Sequence, residues 1–296
     1  MKRNEVIDMV RPPEVHWFKD LKKDIKIAGI GLWIYAGIQI CAGMSMGWIL
    51  RKFSEDFLML AVTALSGFAA ILFFKSRYQL DLKEDSKILY GKEIMQGFTW
   101  MLLISFIWSF VSIFINAFLN TIGLSDLSQN IYFSHHFFGN LCLFVSVVFV
   151  APIVEECVFR GLLFRNFAKY HVGFAMVFSS VCFALMHMNI VQGAPTFFMG
   201  LVLAYFYWKT KSLKTSIGIH MLNNAVGMIS LVANVNFGIL ILEVLGLVWL
   251  IQSRNELVTF FKNQKFSSDY IAYVTKNPIF QGFFVLFIFM AIVSLF

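Results

Sequence analysis

Apolar residues fall along this chain in nine long runs, near residues 27–50, 57–74, 94–119, 137–159, 173–189, 194–210, 215–232, 236–252 and 278–296, separated by polar, mostly basic gaps. A helix needs about 20 mostly apolar residues to cross a bilayer. The pattern therefore predicts an all-α, polytopic transmembrane helix bundle of about eight to nine spans. Residues 1–26 read as a polar N-terminal tail with no cleavage-site pattern, which argues against a removable signal peptide. Residues 27–296 read as a single transmembrane domain, without repeats or low-complexity tracts. The stretch 255–277 mixes Phe260, Phe261, Phe266, Tyr270 and Tyr273 with lysines, and fits either a segment lying flat at the interface or a solvated loop.

Charge orients the pattern. The tail and then alternate gaps (residues 1–26, 75–93, 160–172, 209–214 and 253–277) hold 22 of the 24 Lys and Arg residues, and the intervening gaps hold only Arg51 and Lys52. The positive-inside rule places the N-terminus in the cytoplasm and the C-terminus outside, in a multi-pass protein of the cell membrane. Composition narrows the class. With 59% apolar and 14% charged residues over 296 positions, and a mean hydropathy of +0.74, a soluble domain, a disulfide scaffold and a nucleic-acid-binding globule are excluded. The net charge of +7 lies in the gaps, so the expected partners are the lipid bilayer and a peptide or membrane-protein substrate, with no nucleic acid. Cys41, Cys142, Cys157 and Cys182 all sit in apolar runs and read as small hydrophobes.

Ionisable groups at membrane depth are costly and are functional candidates by default. Few occur: Glu155, Glu156 and Arg160 in the fourth run, His187 in the fifth, His220 in the seventh and Glu243 in the eighth, joined by Asn223 and Asn224. Glu156 and Arg160 are four apart and can neutralise each other. Glu155 is turned about 100° away and needs another partner. His220 and Asn224 share a face, as do Phe183 and His187. Pro152, three residues before Glu155, should remove a backbone hydrogen bond and bend the helix axis, and such a kink would open room beside the carboxylate. At 1.5 Å per residue from the cytoplasmic end, Glu155 and Asn224 lie about 15 Å deep, His220 about 9 Å and His187 about 21 Å. Glu243 and Asn223 read as structural, His135 and His136 as a surface pair, and Gly43 and Gly47 as a close-packing GxxxG pair.

Val154-Glu155-Glu156-Cys157-Val158-Phe159-Arg160-Gly161 reads EExxxR, Phe183 to His187 reads FxxxH, and His220 to Asn224 reads HxxxN. These motifs, in this order on successive apolar segments, resemble the CPBP family, which comprises the type II CAAX prenyl endopeptidases and bacterial Abi or bacteriocin-processing membrane proteins. The resemblance spans roughly residues 137–232. It implies an intramembrane endopeptidase in which Glu155, assisted by His187, activates water, while His220 and Asn224 polarise the scissile carbonyl. Glu156 and Arg160 would hold the fourth helix in place. A zinc ion held by His187, His220 and Glu155 is an open alternative to a metal-free glutamate mechanism, although the HExxH pairing is absent. Two other functions compete: a non-catalytic immunity or signalling protein that binds a peptide or sensor kinase, and a transporter, disfavoured by the lack of a repeat.

Overall fold

A computed structural model describes residues 14–49, 55–83, 88–123, 136–233, 236–264 and 266–293. The first part of the N-terminal tail, Arg51, Lys52, His135 and the last residues of the final run lie outside the described residues. Every regular element among the described residues is helical: α1 Glu14–Ile49, α2 Glu55–Tyr78, α3 Gly91–Thr121, α4 Phe137–Ala168, α5 Val172–Leu185, α6 Ile190–Thr210, α7 Leu213–Val232, α8 Asn236–Gln252, α9 Arg254–Asn263, α10 Ser268–Thr275 and α11 Pro278–Val293. The chain is thus a multi-pass membrane protein built as a helical bundle.

Four of these helices are long and apolar enough to cross a membrane: α1 (over Phe18–Met44), α2, α3 and α4. The pairs α8–α9 and α10–α11 add one span each if a pair that bends by 59° or 74° is counted as one crossing. Length and hydropathy therefore support four to six spans among the described residues, fewer than the eight to nine expected. One reason is visible in α5, whose 14 residues rise only about 21 Å, short of the ~30 Å hydrocarbon core. Large side chains such as Phe114 (75% exposed) and Phe137 (82%) cover the outer faces, where lipid rather than water is the solvent.

Two local expectations change. Residues 14–26 are not a free tail: they form the first turns of α1, and Leu21 and Ile25 are completely buried against the core. Gly43 has no described residue within 4 Å of where a Cβ would stand, so it marks no close helix contact among the described residues, and the surroundings of Gly47 lie outside them. The close approaches are elsewhere. A Cβ on Gly67 of α2 would collide with Val154 of α4, and one on Gly200 of α6 would press on Ser180 of α5. These two glycines bring α2 and α6 against the helices that carry the motifs. Residues 254–275 form the short helices α9 and α10 rather than an irregular loop. Glu256 of α9 ties them to α6, accepting from Tyr205 at 2.8 Å and pairing with Lys209 at 2.9 Å. Burial alone would push the Glu256 carboxyl up, but the bonds from Lys209 and Tyr205 outweigh it and hold it below its usual range.

Candidate functional site

Helix α4 carries the first motif, and its backbone is irregular there. Ser146–Val150 and Cys157–Phe164 are π-helical, flanking a six-residue α-helical stretch, Ala151–Glu156. Such π stretches widen the turn and recur at functional sites. The kink expected at Pro152 does not break the helix, since Phe137–Ala168 remains one continuous span of 32 residues; the irregularity there is one of hydrogen-bond register.

The two adjacent glutamates face different neighbours. Glu156 and Arg160 are both fully buried and pair at 2.8 Å, and Arg160 also donates to the backbone carbonyl of Gly200 at 3.1 Å. The guanidinium lies 4.5 Å from the Phe183 ring centroid. Arg160, counted from sequence among the loop cations, is therefore an interior residue that joins α4 to α5 and α6. The same Glu156 oxygen accepts from His220 Nδ1 at 3.0 Å, so Glu156 orients the histidine as well as the arginine. His220 Nε2 then faces Glu155, 3.6 Å from Oε2, just beyond direct hydrogen-bond reach. Glu155 keeps 20% of its side chain exposed, while Glu156 has none.

His187 and His220 flank Phe183, with ring centroids 5.2 Å and 5.7 Å away and both contacts edge-on. The Phe183 carbonyl accepts from His187 Nδ1 at 3.0 Å, which leaves Nε2 as the acceptor nitrogen of a neutral ring. Asn224 donates through Nδ2 to the carbonyl of Val147 at 2.9 Å, and Asn223 donates to Asn224 Oδ1 at 3.4 Å.

One cavity of about 580 Å³ gathers the motif side chains: Glu155, His187, His220 and Asn224 all line it, as do Phe183 and Asn223. Glu156 and Arg160 lie behind this wall. Glu243, in α8, is half-buried and not in the lining; His136 is exposed, and Cys157 is half-buried beside the motif. The rest of the lining was not marked by the sequence. Met59 and Thr63 come from α2, Met101 from α3, and Gln192, Thr196 and Met199 from α6. Their only signal was Pro195, an interior proline in α6 that also faces the cavity.

The zinc set weighed from sequence is not assembled. Among the described residues no three His, Cys, Asp or Glu side chains stand close enough together to hold an ion. The physical reason is orientation: both His220 nitrogens are turned to carboxylates, and His187 lies across the Phe183 ring.

Comparison with known proteins bears on the segment that carries these residues. Residues 137–226 match the family model of type II CAAX prenyl endopeptidase Rce1-like proteins. The chain is also similar to UPF0177 protein YaiH of Lactococcus lactis subsp. lactis (strain IL1403), with 27% identity over 181 residues, covering 60% of this chain and 72% of that protein. No solved structure matches. The matched segment runs from the start of α4 to Asn224 and just beyond, so it contains all three motifs and most of the cavity wall. The family resemblance carried by three short motifs thus extends over the segment that encloses them: residues 137–226 are similar to the Rce1-like type II CAAX prenyl endopeptidases.

Proposed function

We propose that the chain is an intramembrane endopeptidase that hydrolyses a peptide bond of a membrane-associated peptide or protein by glutamate-activated water. The supporting observation is the convergence of Glu155 from α4, His187 from the turn between α5 and α6, and His220 and Asn224 from α7 on one cavity. Water held between the Glu155 carboxylate and His187 Nε2 gives its proton to Glu155 as it attacks the carbonyl carbon. The carbonyl oxygen becomes an oxyanion, which accepts hydrogen bonds from the Asn224 amide and from His220 when its Nε2 carries a proton. Collapse of this intermediate returns the proton from Glu155 to the leaving amine. Fixed donors of this kind each contribute about 10²–10³-fold to turnover. Glu156 acts through His220, by holding its Nδ1–H and thereby aiming Nε2 at the cavity.

The chain sits in the cell membrane with its N-terminus in the cytoplasm and its C-terminus outside, crossing nine times when the shorter helices α5 to α7 and each bent pair are counted as passages. The catalytic core is residues 137–232. The test uses purified full-length protein in liposomes with an internally quenched, farnesylated peptide ending in a CAAX sequence. A comparison of membrane-protein termini in cells carrying wild-type or Glu155→Ala protein runs beside it. Cleavage ends that vanish with Glu155→Ala support the reading. A cellular phenotype that survives Glu155→Ala would support peptide binding without hydrolysis instead.

A further inference from the structure

The π stretch before the first motif leaves one carbonyl without its normal backbone donor. In an α-helix the Ala151 amide would bond to the carbonyl of Val147; here it bonds to Ser146, five residues back. In that π register the donor for Val147 would be residue 152. Residue 152 is proline and has no N–H. Neither register supplies the bond, and the carbonyl of Val147 instead accepts from Asn224 Nδ2 at 2.9 Å, across from α7. A carbonyl only accepts, so this contact settles which end of the Asn224 carboxamide is the NH₂ end. One N–H is spent on Val147 and the other is left for the cavity that Asn224 lines.

We infer that Pro152 is a positioning residue: by withholding a backbone donor from the Val147 carbonyl, it reserves that acceptor for Asn224 and so aims the second Asn224 N–H at the reacting carbonyl. The inference rests on the oxyanion role given to Asn224 above, and deepens it by naming what sets that side chain's direction. A proline serving only as a helix irregularity predicts the same gain in helix stability on replacement by alanine, but no movement of the Asn224 signal and no loss of turnover.

The test compares wild type with Pro152→Ala as full-length protein in detergent micelles. The probe is the side-chain ¹⁵N–¹H spectrum of asparagine-labelled protein, with Asn224 assigned by loss of its signals in Asn224→Ala. In wild type one Asn224 proton is displaced downfield by its bond to Val147. In Pro152→Ala that displacement is lost as the new backbone N–H takes the carbonyl, while Tm equals or exceeds that of wild type. On the quenched peptide, kcat falls about tenfold with KM unchanged, the scale of a misaimed group rather than a missing one. Pro152→Ser adds the same N–H and gives the same result. An Asn224 signal that does not move in either variant overturns the inference, as does failure of both to fold, which would make the proline a requirement of the helix itself. Full cleavage by Asn224→Ala would instead remove the oxyanion role, leaving the wild-type Val147–Asn224 signal as evidence for the positioning contact alone.

Discussion

Helix α4 meets two buried acid clusters, one at mid-length and one at its C-terminal end, and they differ in what their carboxylates have left to do. Toward the C-terminal end, Asn166, Lys169 and Tyr170 all meet one oxygen of Asp24 from α1, at 3.0, 2.7 and 2.8 Å. Tyr78 of α2 adds a bond to the Asp24 backbone carbonyl at 3.0 Å. Burial pushes the Tyr170 hydroxyl up, and the Asp24 charge and hydrogen bond push it further, so it stays a donor to the acid. Ten residues before Asn166 in α4, Glu156 shares its Oε1 between Arg160 and His220 and keeps Oε2 buried with no hydrogen-bond partner among the described residues, while its neighbour Glu155 stands 3.6 Å from His220 and lines the cavity. Burial alone does not separate the clusters. Access does: an acid closed off from the cavity fastens helices together, and an acid that lines the cavity is free to take a proton.

The sharpest way to break this contrast is at Glu155. Glu155→Ala should lower cleavage of the quenched peptide by about a thousandfold or more with little change in Tm, since general-base catalysis and water placement are lost together. His187→Ala should fall in the same direction. Full activity in Glu155→Ala would remove the distinction between the two acids. Next is Glu156→Gln, which leaves the Arg160 guanidinium buried without a countercharge and should cost about 3–5 kcal/mol of stability. It should also reduce kcat, because His220 loses its anchor. A stable, fully active Glu156→Gln protein would show that the inner acid is dispensable.

Asp24→Asn should act on stability alone. Weakening the charge-assisted bonds from Lys169 and Tyr170 should cost about 1–3 kcal/mol, read as a lower Tm with kcat unchanged. A fall in kcat with no loss of stability would connect the outer cluster to the chemistry. The smallest effect belongs to Glu256, whose depressed carboxyl stabilises the fold at pH values above the ordinary glutamate range. That contribution is lost as pH falls through the depressed value, and Lys209→Met should flatten the slope of Tm against pH in that acidic window. An unchanged slope would mean that the α9 tether carries no measurable energy.

Much of this was legible in the residues themselves. The nine apolar runs became helices because a chain this apolar must satisfy its backbone internally in lipid. The intrahelical spacing of Glu156 and Arg160, and the divergence of Glu155 from both, follow from 3.6 residues per turn. Other features were hidden for identifiable reasons. Hydropathy alone gave a tail to residue 26, because a run of lysines masked Leu21 and Ile25, whose burial depends on what packs across from them. The family resemblance gave His187 to Glu155 as its assistant; spacing did not show that His220 would stand next to Glu155, with His187 bonded to the Phe183 carbonyl on the same cavity wall.

By itself the sequence determined helix type, the order of the motifs and which polar groups enter the apolar layer, because these are properties of local periodicity and solvent. Only the tertiary structure decided which of those groups meet. Glu156 bridging Arg160 and His220, the Val147 carbonyl taken by Asn224, and the methionines of α2, α3 and α6 around the cavity all join positions far apart in the chain. Such meetings depend on helix rotation, close approach at Gly67 and Gly200, and the register of a π-helical turn, none of which the hydrophobic pattern of a single helix contains.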